Sequence, residues 1–537
     1  MGIPSYFSYI VKNHAKIIKK IETQNLPINN LYMDCNSIIY DAVHNINFSE
    51  LVESDIETII RAVCAKINEY ILLLKPDSNI YIAFDGVAPV AKLDQQRERR
   101  YKSLYQNSIS RAISKTVGAD PWNTTAITPG TVFMKKLNTR VCEAFNNPAR
   151  FNAAKIIFSG SDKYGEGEHK LFEYIRDYPE QHVGKNTVIY GLDADLIMLS
   201  INHLPVTSGG IYLFRETPHF IKSINSDLEP NESYIMDIPE LAHVISLDMN
   251  NDKDLTTEQQ KNRIYDYIFL CFFLGNDFMP HFPAINIRTG GVDKMLQAYK
   301  ATIGTTNENL TDGKKIYWKN VRKLVEFLAS LEERFIRDEH KLRDRRENIP
   351  MPNKTPEDKF KRFDSIPGYE RELEKYINPH KDGWQARYYE ALFDVDAADE
   401  DKIKAICVNY LEALEWTSKY YNGGCADWRW FYNYKYPPLL NDLIHHVPYF
   451  DFDFIVKKQP APVNELVQLC YVLPKQSLEF LPKDLFNALK SKHDEWYKSD
   501  CDYVWAYCRY FWESHVNLPH IDIDALEIFV RTFLHKT

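Results

Sequence analysis

The first two hundred residues alternate short, continuous apolar runs with stretches whose apolar positions recur at helical spacing. That is the pattern of strands buried on both faces between helices. Three of the runs end in a carboxylate: Leu31–Met33 leads into Asp34, Ile80–Phe84 into Asp85, and Val188–Leu192 into Asp193. The pattern predicts an α/β domain with a mostly parallel sheet, and such sheets bind ligands beyond the carboxyl ends of their strands. Further along, Leu324, Leu328, Leu331, Phe335 and Leu342 share one seam and predict a long projecting helix from about Lys319 to Arg346. Its end, Glu332 to Glu347, carries six Lys/Arg and six Asp/Glu and reads as a solvated face. Polar stretches at 250–263 and 348–370 read as surface loops or domain edges. The expected units are residues 1–300, a long helix with a variable linker over 301–370, and an aromatic, Pro-rich segment over 371–537.

Composition narrows the class. The chain has 537 residues, 45% hydrophobic and 26% charged, the balance of a globular protein of more than one domain. The longest uninterrupted apolar run, Tyr267 to Leu274, is far short of the ~20 residues of a membrane span. The N-terminus has no basic region ahead of an apolar stretch, so no secretory signal is expected. Tyr6 stands where a myristoylation motif requires Ser or Thr. The nine cysteines include no C-x-x-C, which points away from a disulfide framework or zinc cluster and toward a reducing compartment. With a net charge of −9, any contact to a polyanion has to come from a local patch.

Two constellations carry chemistry. The first is a set of seven acids: Asp34, Asp85, Glu166, Glu168, Asp193, Asp195 and Asp277. Each lies just past an apolar run or in a Gly-flanked turn, and any one alone reads as a cap or turn residue. Together they cannot share a pocket uncompensated, because like charges raise one another's pKa and destabilise the fold. A divalent cation is the usual remedy. An all-oxygen ligand set selects Mg²⁺, with Mn²⁺ as substitute, and a crowded cluster suits two ions serving phosphodiester hydrolysis. The second constellation follows Asp85: Lys92, Gln96, Arg99 and Arg100 occupy i, i+4, i+7 and i+8 of a helix. Such a cationic face suits a terminal phosphate. No H-E-x-x-H, P-loop or G-x-S-x-G motif is present, which removes zinc hydrolase, NTPase and serine hydrolase readings.

The segments MGIPSYFSYI, LYMDCNSIIY, IAFDGVAPVAKLDQQRERRY, ITPGTVFM, GEGEHKL, VIYGLDADLIML and FFLGNDFMP follow one another in this order. The series resembles that of the XRN family of 5′→3′ exoribonucleases over about residues 1–297. The likeness resumes at 385–389 and continues through 410–416, Trp428-Arg429-Trp430 and 471–474. The resemblance implies a PIN-like (Rossmann-like) α/β nuclease core in which the seven acids bind two Mg²⁺. It also implies that Lys92, Gln96, Arg99 and Arg100 grip the 5′-monophosphate of single-stranded RNA, and that water attacks the first phosphodiester to release one nucleoside 5′-monophosphate before the strand advances. Met1 to about Asn13 would narrow the site against duplexes.

Two positions depart from the family. Tyr40 stands where a stacking His is usual, and Val90 where Arg is usual. Tyr keeps a π-face worth ~1–3 kcal/mol per stacked base, and its partner is expected from Trp428 or Trp430. The chain stops at Thr537 without the further domains of the large cytoplasmic members, so a minimal, monomeric enzyme is expected. Its expected setting is cytoplasmic mRNA decay, with a functional link to a decapping enzyme. A flap-type structure-specific DNA nuclease and a silent RNA-binding scaffold are the competing readings.

Overall fold

In the computed structural model, which describes residues 5–21, 26–46, 54–114, 122–251, 253, 255–456 and 460–534, the apolar runs become the middle of one sheet. Its seven strands are β1 (Ile18–Lys20), β2 (Asn30–Asp34), β3 (Asn79–Ala83), β4 (Lys155–Ser159), β5 (Asn186–Tyr190), β6 (Gly210–Glu216) and β7 (Ser233–Asp237). They lie in the order β1-β7-β6-β5-β2-β3-β4. The five from β6 to β4 are parallel, and β7 and β1 add an antiparallel edge.

The core strands are continuously apolar because both faces are covered. Leu31 and Met33 point into one hydrophobic cluster with Ile80, Ile82 and Val188, while Tyr32 points into the other with Tyr81 and Ile189. Strand β2 is central, and the chain proceeds from it to β3 and β4 on one side before returning to β5 on the other. That return is a topological switch point, where strand ends open a crevice. Asp34 closes β2 there, in register with Ala83, two residues before Asp85.

A third cluster joins the chain's two ends. Val87, Ala88, Val90 and Leu93, from the loop after β3 and the start of the Val90–Ser114 helix, pack with Val467, Leu469, Leu485 and Leu526. Val90 thus lies in an apolar setting, which accounts for the absence of an arginine at that position. Of the two polar stretches expected to be loops, each holds a helix opened by a capping box: Thr256 with Gln259 before Thr257–Phe272, and Thr355 with Asp358 before Pro356–Asp364. Among the described residues no helix is long and apolar enough to cross a membrane.

The long helix runs Trp318–Glu347. Leu324, Leu328 and Phe335 are buried as expected, but Leu342 is exposed and Arg343 takes the inward position. The reading of Glu332–Glu347 as a solvated face holds for most of its charges but is corrected at three: Glu332, Glu339 and Arg343 are buried. The reason is tertiary pairing. Arg343 grips Glu374 with Nε at 2.7 Å and Nη2 at 2.6 Å, Arg371 Nε adds a bond of 2.6 Å, and the Tyr507 N–H donates to the same carboxylate at 2.8 Å. Glu332 accepts from the main-chain N–H groups of Leu440 and Asn441 at 2.6 and 3.0 Å. One buried carboxylate, Glu374, thus ties the long helix to the segment around Tyr507. Glu374→Ala is expected to cost ~3–5 kcal/mol, because it leaves the buried Arg343 guanidinium without a carboxylate, while Arg371 keeps Asp344 and Glu347. Urea denaturation checks this, and a loss below ~1 kcal/mol, the worth of an exposed pair, contradicts it.

Candidate active site

The strand ends bring the acids together, and one glycine sets how closely. Asp85 accepts from the Gly167 N–H at 2.6 Å through Oδ1 and from the Asn36 side chain through Oδ2. The Gly167–Asp177 helix opens here, with Glu166 at its N-cap and Glu168 in its first turn, so its partly positive end faces the carboxylates. A Cβ on Gly167 would stand 2.4 Å from Asp34 Oδ1. Only glycine lets the helix start approach β2 that closely. Lys170 fixes the turn before the helix, donating to Phe84 O at 2.7 Å and Gly160 O at 2.9 Å.

The remaining acids arrive from β5 and from the loop after the Thr257–Phe272 helix. The Asp195 N–H donates to Asp193 Oδ1 at 3.3 Å. Asp277 and Glu166 share one cation: Lys92 Nζ lies 2.7 Å from Asp277 Oδ2 and also pairs with Glu166 Oε2. Ligand atoms of Asp34, Asp85 and Glu168 lie within 4.8 Å of one another, as do those of Glu166, Glu168 and His169. Tyr420 donates to Glu166 Oε1 at 2.9 Å while its ring stacks on His169 at 3.8 Å. The acids picked from the sequence form one connected cluster: Asp34, Asp85, Glu166 and Glu168 by ligand distance, Asp277 through Lys92, and Asp193 and Asp195 through their own hydrogen bond and their charge on Asp34 and Asp277.

The electrostatics show the cost of that meeting. Burial pushes Asp34 and Glu168 well up, and neighbouring carboxylates push further: Asp85 and Asp193 on Asp34, Glu166 and Asp34 on Glu168. Asp195 is pushed up to about 7 by burial and then by Asp193 and Asp277. Asp277 goes the other way: burial is the largest single influence and raises it, but the charge and hydrogen bond of Lys92 together with further positive charges, Arg99 among them, outweigh it. Lys92 is itself held well above its usual range, the two carboxylates overcoming desolvation.

The residues present fit hard divalent cations. The donor set is almost wholly carboxylate oxygen, and the Oδ1 atoms of Asp34 and Asp195 are buried without a hydrogen-bond partner.

The cationic face is only partly as expected. Lys92 faces the acids, and Arg100 donates to Thr128 Oγ1 at 2.7 Å, leaving its Nη1 buried and unpartnered. Burial lowers Arg100 to about 10, with the Tyr40 hydroxyl the nearest opposing influence. Arg99 is exposed, and Gln96 is half-buried with no side-chain hydrogen bond among the described residues. Gln95, not among the residues picked from the sequence, donates to Asp277 Oδ1 at 3.1 Å. It sits at i+3 from Lys92, a spacing that shares a helix face as readily as i+4. Asn36 and Tyr420 were also missed.

Trp430 stacks on Trp416 at 5.2 Å, within the aromatic packing of the second segment. Trp428 has no ring partner among the described residues, and its carbonyl accepts from the Val90 N–H at 3.0 Å, next to the cationic helix. Tyr40 is 40% exposed. Of the N-terminal stretch, Tyr6–Asn13 is a helix, Tyr6 bonding Tyr267 at 2.9 Å and Phe7 lying 3.7 Å under Arg215. Residues 1–4 lie outside the described residues.

Fold and site together define a class: a PIN-like α/β domain with an acidic, cation-ready cluster at the carboxyl ends of its strands. Residues 1–217 match the family model described as the XRN 5′-3′ exonuclease N-terminus, and residues 258–370 and 367–536 match that of the Xrn1 helical domain. The chain belongs to the XRN 5′-3′ exonuclease family. It is similar to 5′-3′ exoribonuclease 1 of Schizosaccharomyces pombe, at 26% identity over 98% of this chain and 48% of that protein. It is likewise similar to the 5′-3′ exoribonuclease 2 homolog of Drosophila melanogaster, at 25% over 98% and 70%. Against 5′-3′ exoribonuclease 1 of Homo sapiens the figures are 26%, 100% and 34%. The chain spans about half the length of the first curated relatives it matches.

Two measurements check the site. Gly167→Ala is expected to cost ~1–3 kcal/mol by overpacking, whereas Gly423→Ala, where a Cβ meets nothing, serves as control. Without divalent cations, stability is expected to fall as pH rises from about 4 to 7. Over that window folded Asp195, moved from 3.8 to about 7, keeps a proton the unfolded chain releases. Thermal melts with and without Mg²⁺ read this, and a flat metal-free profile contradicts it.

Proposed function

We propose that this protein is a processive 5′→3′ exoribonuclease that hydrolyses single-stranded RNA bearing a 5′-monophosphate and releases nucleoside 5′-monophosphates. The observation that carries the reading is the cluster of Asp34, Asp85, Glu166, Glu168 and Asp277, with Asp193 and Asp195 acting on it, beside a helix that also presents Arg99 and Arg100. Asp34, Asp85, Glu166, Glu168, Asp193, Asp195 and Asp277 would hold two Mg²⁺, with Mn²⁺ as substitute. When bound, the ions supply charge neutralisation at the scissile phosphate and lower the pKa of water.

The chain's own residues do the rest. Arg100 offers an unpartnered, buried Nη1, and Arg99 stands one residue away; their forked donors match a terminal phosphate. A triphosphate or cap at that position would meet the Thr128 wall that Arg100 grips. Tyr40 beside Arg100 and Trp428 beside Val90 stack the terminal base. Trp428 is preferred over Trp430, whose ring is already stacked on Trp416. Water adds to phosphorus and the 3′-oxygen of the first nucleotide leaves. The phosphate stays on the next nucleotide, so each cycle regenerates the end that the site recognises. That recurrence underlies processivity. The biological setting proposed is cytoplasmic mRNA decay by a monomer acting after a decapping enzyme.

The test compares 5′-monophosphate, 5′-triphosphate and 5′-hydroxyl RNA with single-stranded DNA. Rapid decay of the monophosphate RNA alone is expected, and preference for DNA flaps or no cleavage at all contradicts the reading. Asp193→Ala and Asp195→Ala are expected to abolish turnover while RNA still binds. Arg100→Ala is expected to reduce the preference for monophosphate over hydroxyl ends by ~10-fold or more, the worth of a lost charge-assisted hydrogen bond. An unchanged preference rejects the phosphate assignment.

A further inference from the structure

Two neighbouring tyrosines of the second segment reach the acids from outside the sheet domain. They lie near the end of the helix Glu400–Gly423. Tyr420 donates its hydroxyl to Glu166 Oε1 at 2.9 Å, and the hydroxyl of Tyr421, the next residue, hydrogen-bonds the Asp195 side chain. Those two acids stand at separate helix starts: Glu166 is the N-cap of Gly167–Asp177, and Asp195 opens Asp195–Thr207. One helix end thus hands a donor to each, and Tyr420 does so across 254 positions of the chain.

Both tyrosines are buried, and neither ring is free to turn. Tyr420 stacks on His169 at 3.8 Å and on Trp416 at 4.9 Å, and Phe278 meets it edge-on at 5.4 Å. Tyr421 packs edge-on against His169 at 5.8 Å and Phe272 at 5.2 Å. Its carbonyl accepts from Asn202 Nδ2 at 3.4 Å, on the helix that Asp195 opens. A ring held this way puts its hydroxyl at a single point, and a carboxylate that accepts from it loses rotational freedom.

Glu166 gains most from this. Its Oε2 pairs with Lys92, so Lys92 and Tyr420 between them fix both of its oxygens. Phe278, which leans on Tyr420, directly follows Asp277, the other acid on Lys92. The kind of donor matters as well. A phenol is neutral, so it steadies a carboxylate while leaving its negative charge available to a divalent ion, which an ammonium would cancel.

We propose that Tyr420 and Tyr421 are positioning residues for the metal site: they hold Glu166 and Asp195 in a ligating orientation without neutralising them, and so set the affinity of the cluster for divalent cations. The inference deepens the exonuclease reading and rests on it for the use to which the cations are put.

Tyr420→Phe and Tyr421→Phe keep the rings and remove only the donors. Calorimetric titration of Mn²⁺ into the full chain, without RNA, is expected to show affinity weakened ~10-fold in each, the lower end of the effect of losing an outer partner of a metal ligand. Tyr432→Phe controls for loosening of the segment. Its hydroxyl is also buried but donates to Tyr436 O at 2.8 Å rather than to an acid, and wild-type affinity is expected. In RNA decay, the Mg²⁺ concentration for half-maximal rate is expected to rise by the same factor, while kcat at saturating Mg²⁺ and KM for RNA stay within ~2-fold of wild type. Unchanged Mn²⁺ affinity in either tyrosine variant overturns the role of that tyrosine. An equal loss in Tyr432→Phe overturns the proposal, because it marks a packing effect, and so does a fall in kcat that saturating Mg²⁺ does not restore. Affinity lost in both variants of a chain that degrades no RNA defeats the exonuclease reading alone, whereas a wild-type chain that takes up no Mn²⁺ defeats both.

Discussion

One ammonium makes the crevice tenable. Lys92 is buried between Glu166 and Asp277, and those two carboxylates come from opposite sides of the site: one from the helix that opens against β2 and β3, the other from the loop after the Thr257–Phe272 helix. Each of the three groups would be costly to bury alone. Together they anchor the two halves of the acidic cluster to each other, while Asp34, Glu168 and Asp195 are pushed up by burial and by neighbouring carboxylates. Lys92 is the cation that the described contacts pair directly with two of these carboxylates, and Asp34, Glu168 and Asp195 stay pushed up beside it.

Lys92 can hold that place because its helix is immobilised from behind. Val90 and Leu93 lie in the apolar cluster shared with residues near the C-terminal end, and the Val90 N–H donates to Trp428. The second half of the chain also reaches the acids directly, through Tyr420 on Glu166. Glu374, by collecting Arg343, Arg371 and the Tyr507 N–H, holds the long helix against the segment around Tyr507. The acidic cluster of the first half thus depends on packing contributed by the second.

Much of this was legible along the chain, and the exceptions share a cause. The acids stood out because each follows an element whose period is unmistakable, so its place at a strand end or helix start was a local matter. The seam of the long helix failed at Leu342 and Arg343, since an ionic network formed by residues thirty positions away reversed the ordinary ranking of leucine inside and arginine outside. Gln95 drew no notice on a bare helix, where i+3 and i+4 share a face; it gains a role only because another element brings Asp277 to it. Trp428 and Trp430 were alike along the chain, and only the fold shows that Trp430 packs on Trp416.

What the sequence by itself determined is therefore the set of parts: buried parallel strands, carboxylates at their ends, a glycine-flanked helix start and a cationic helix. These follow from periodicity and backbone preference, which act over a few residues. The tertiary structure alone decided which parts touch. Lys92 turned inward to the acids, Arg343 was buried, and Arg97, Lys102 and Lys435 fastened the segment 514–519. Those outcomes rest on charge pairing and desolvation between segments from 31 to 422 residues apart, and such energies exist only once the chain has folded.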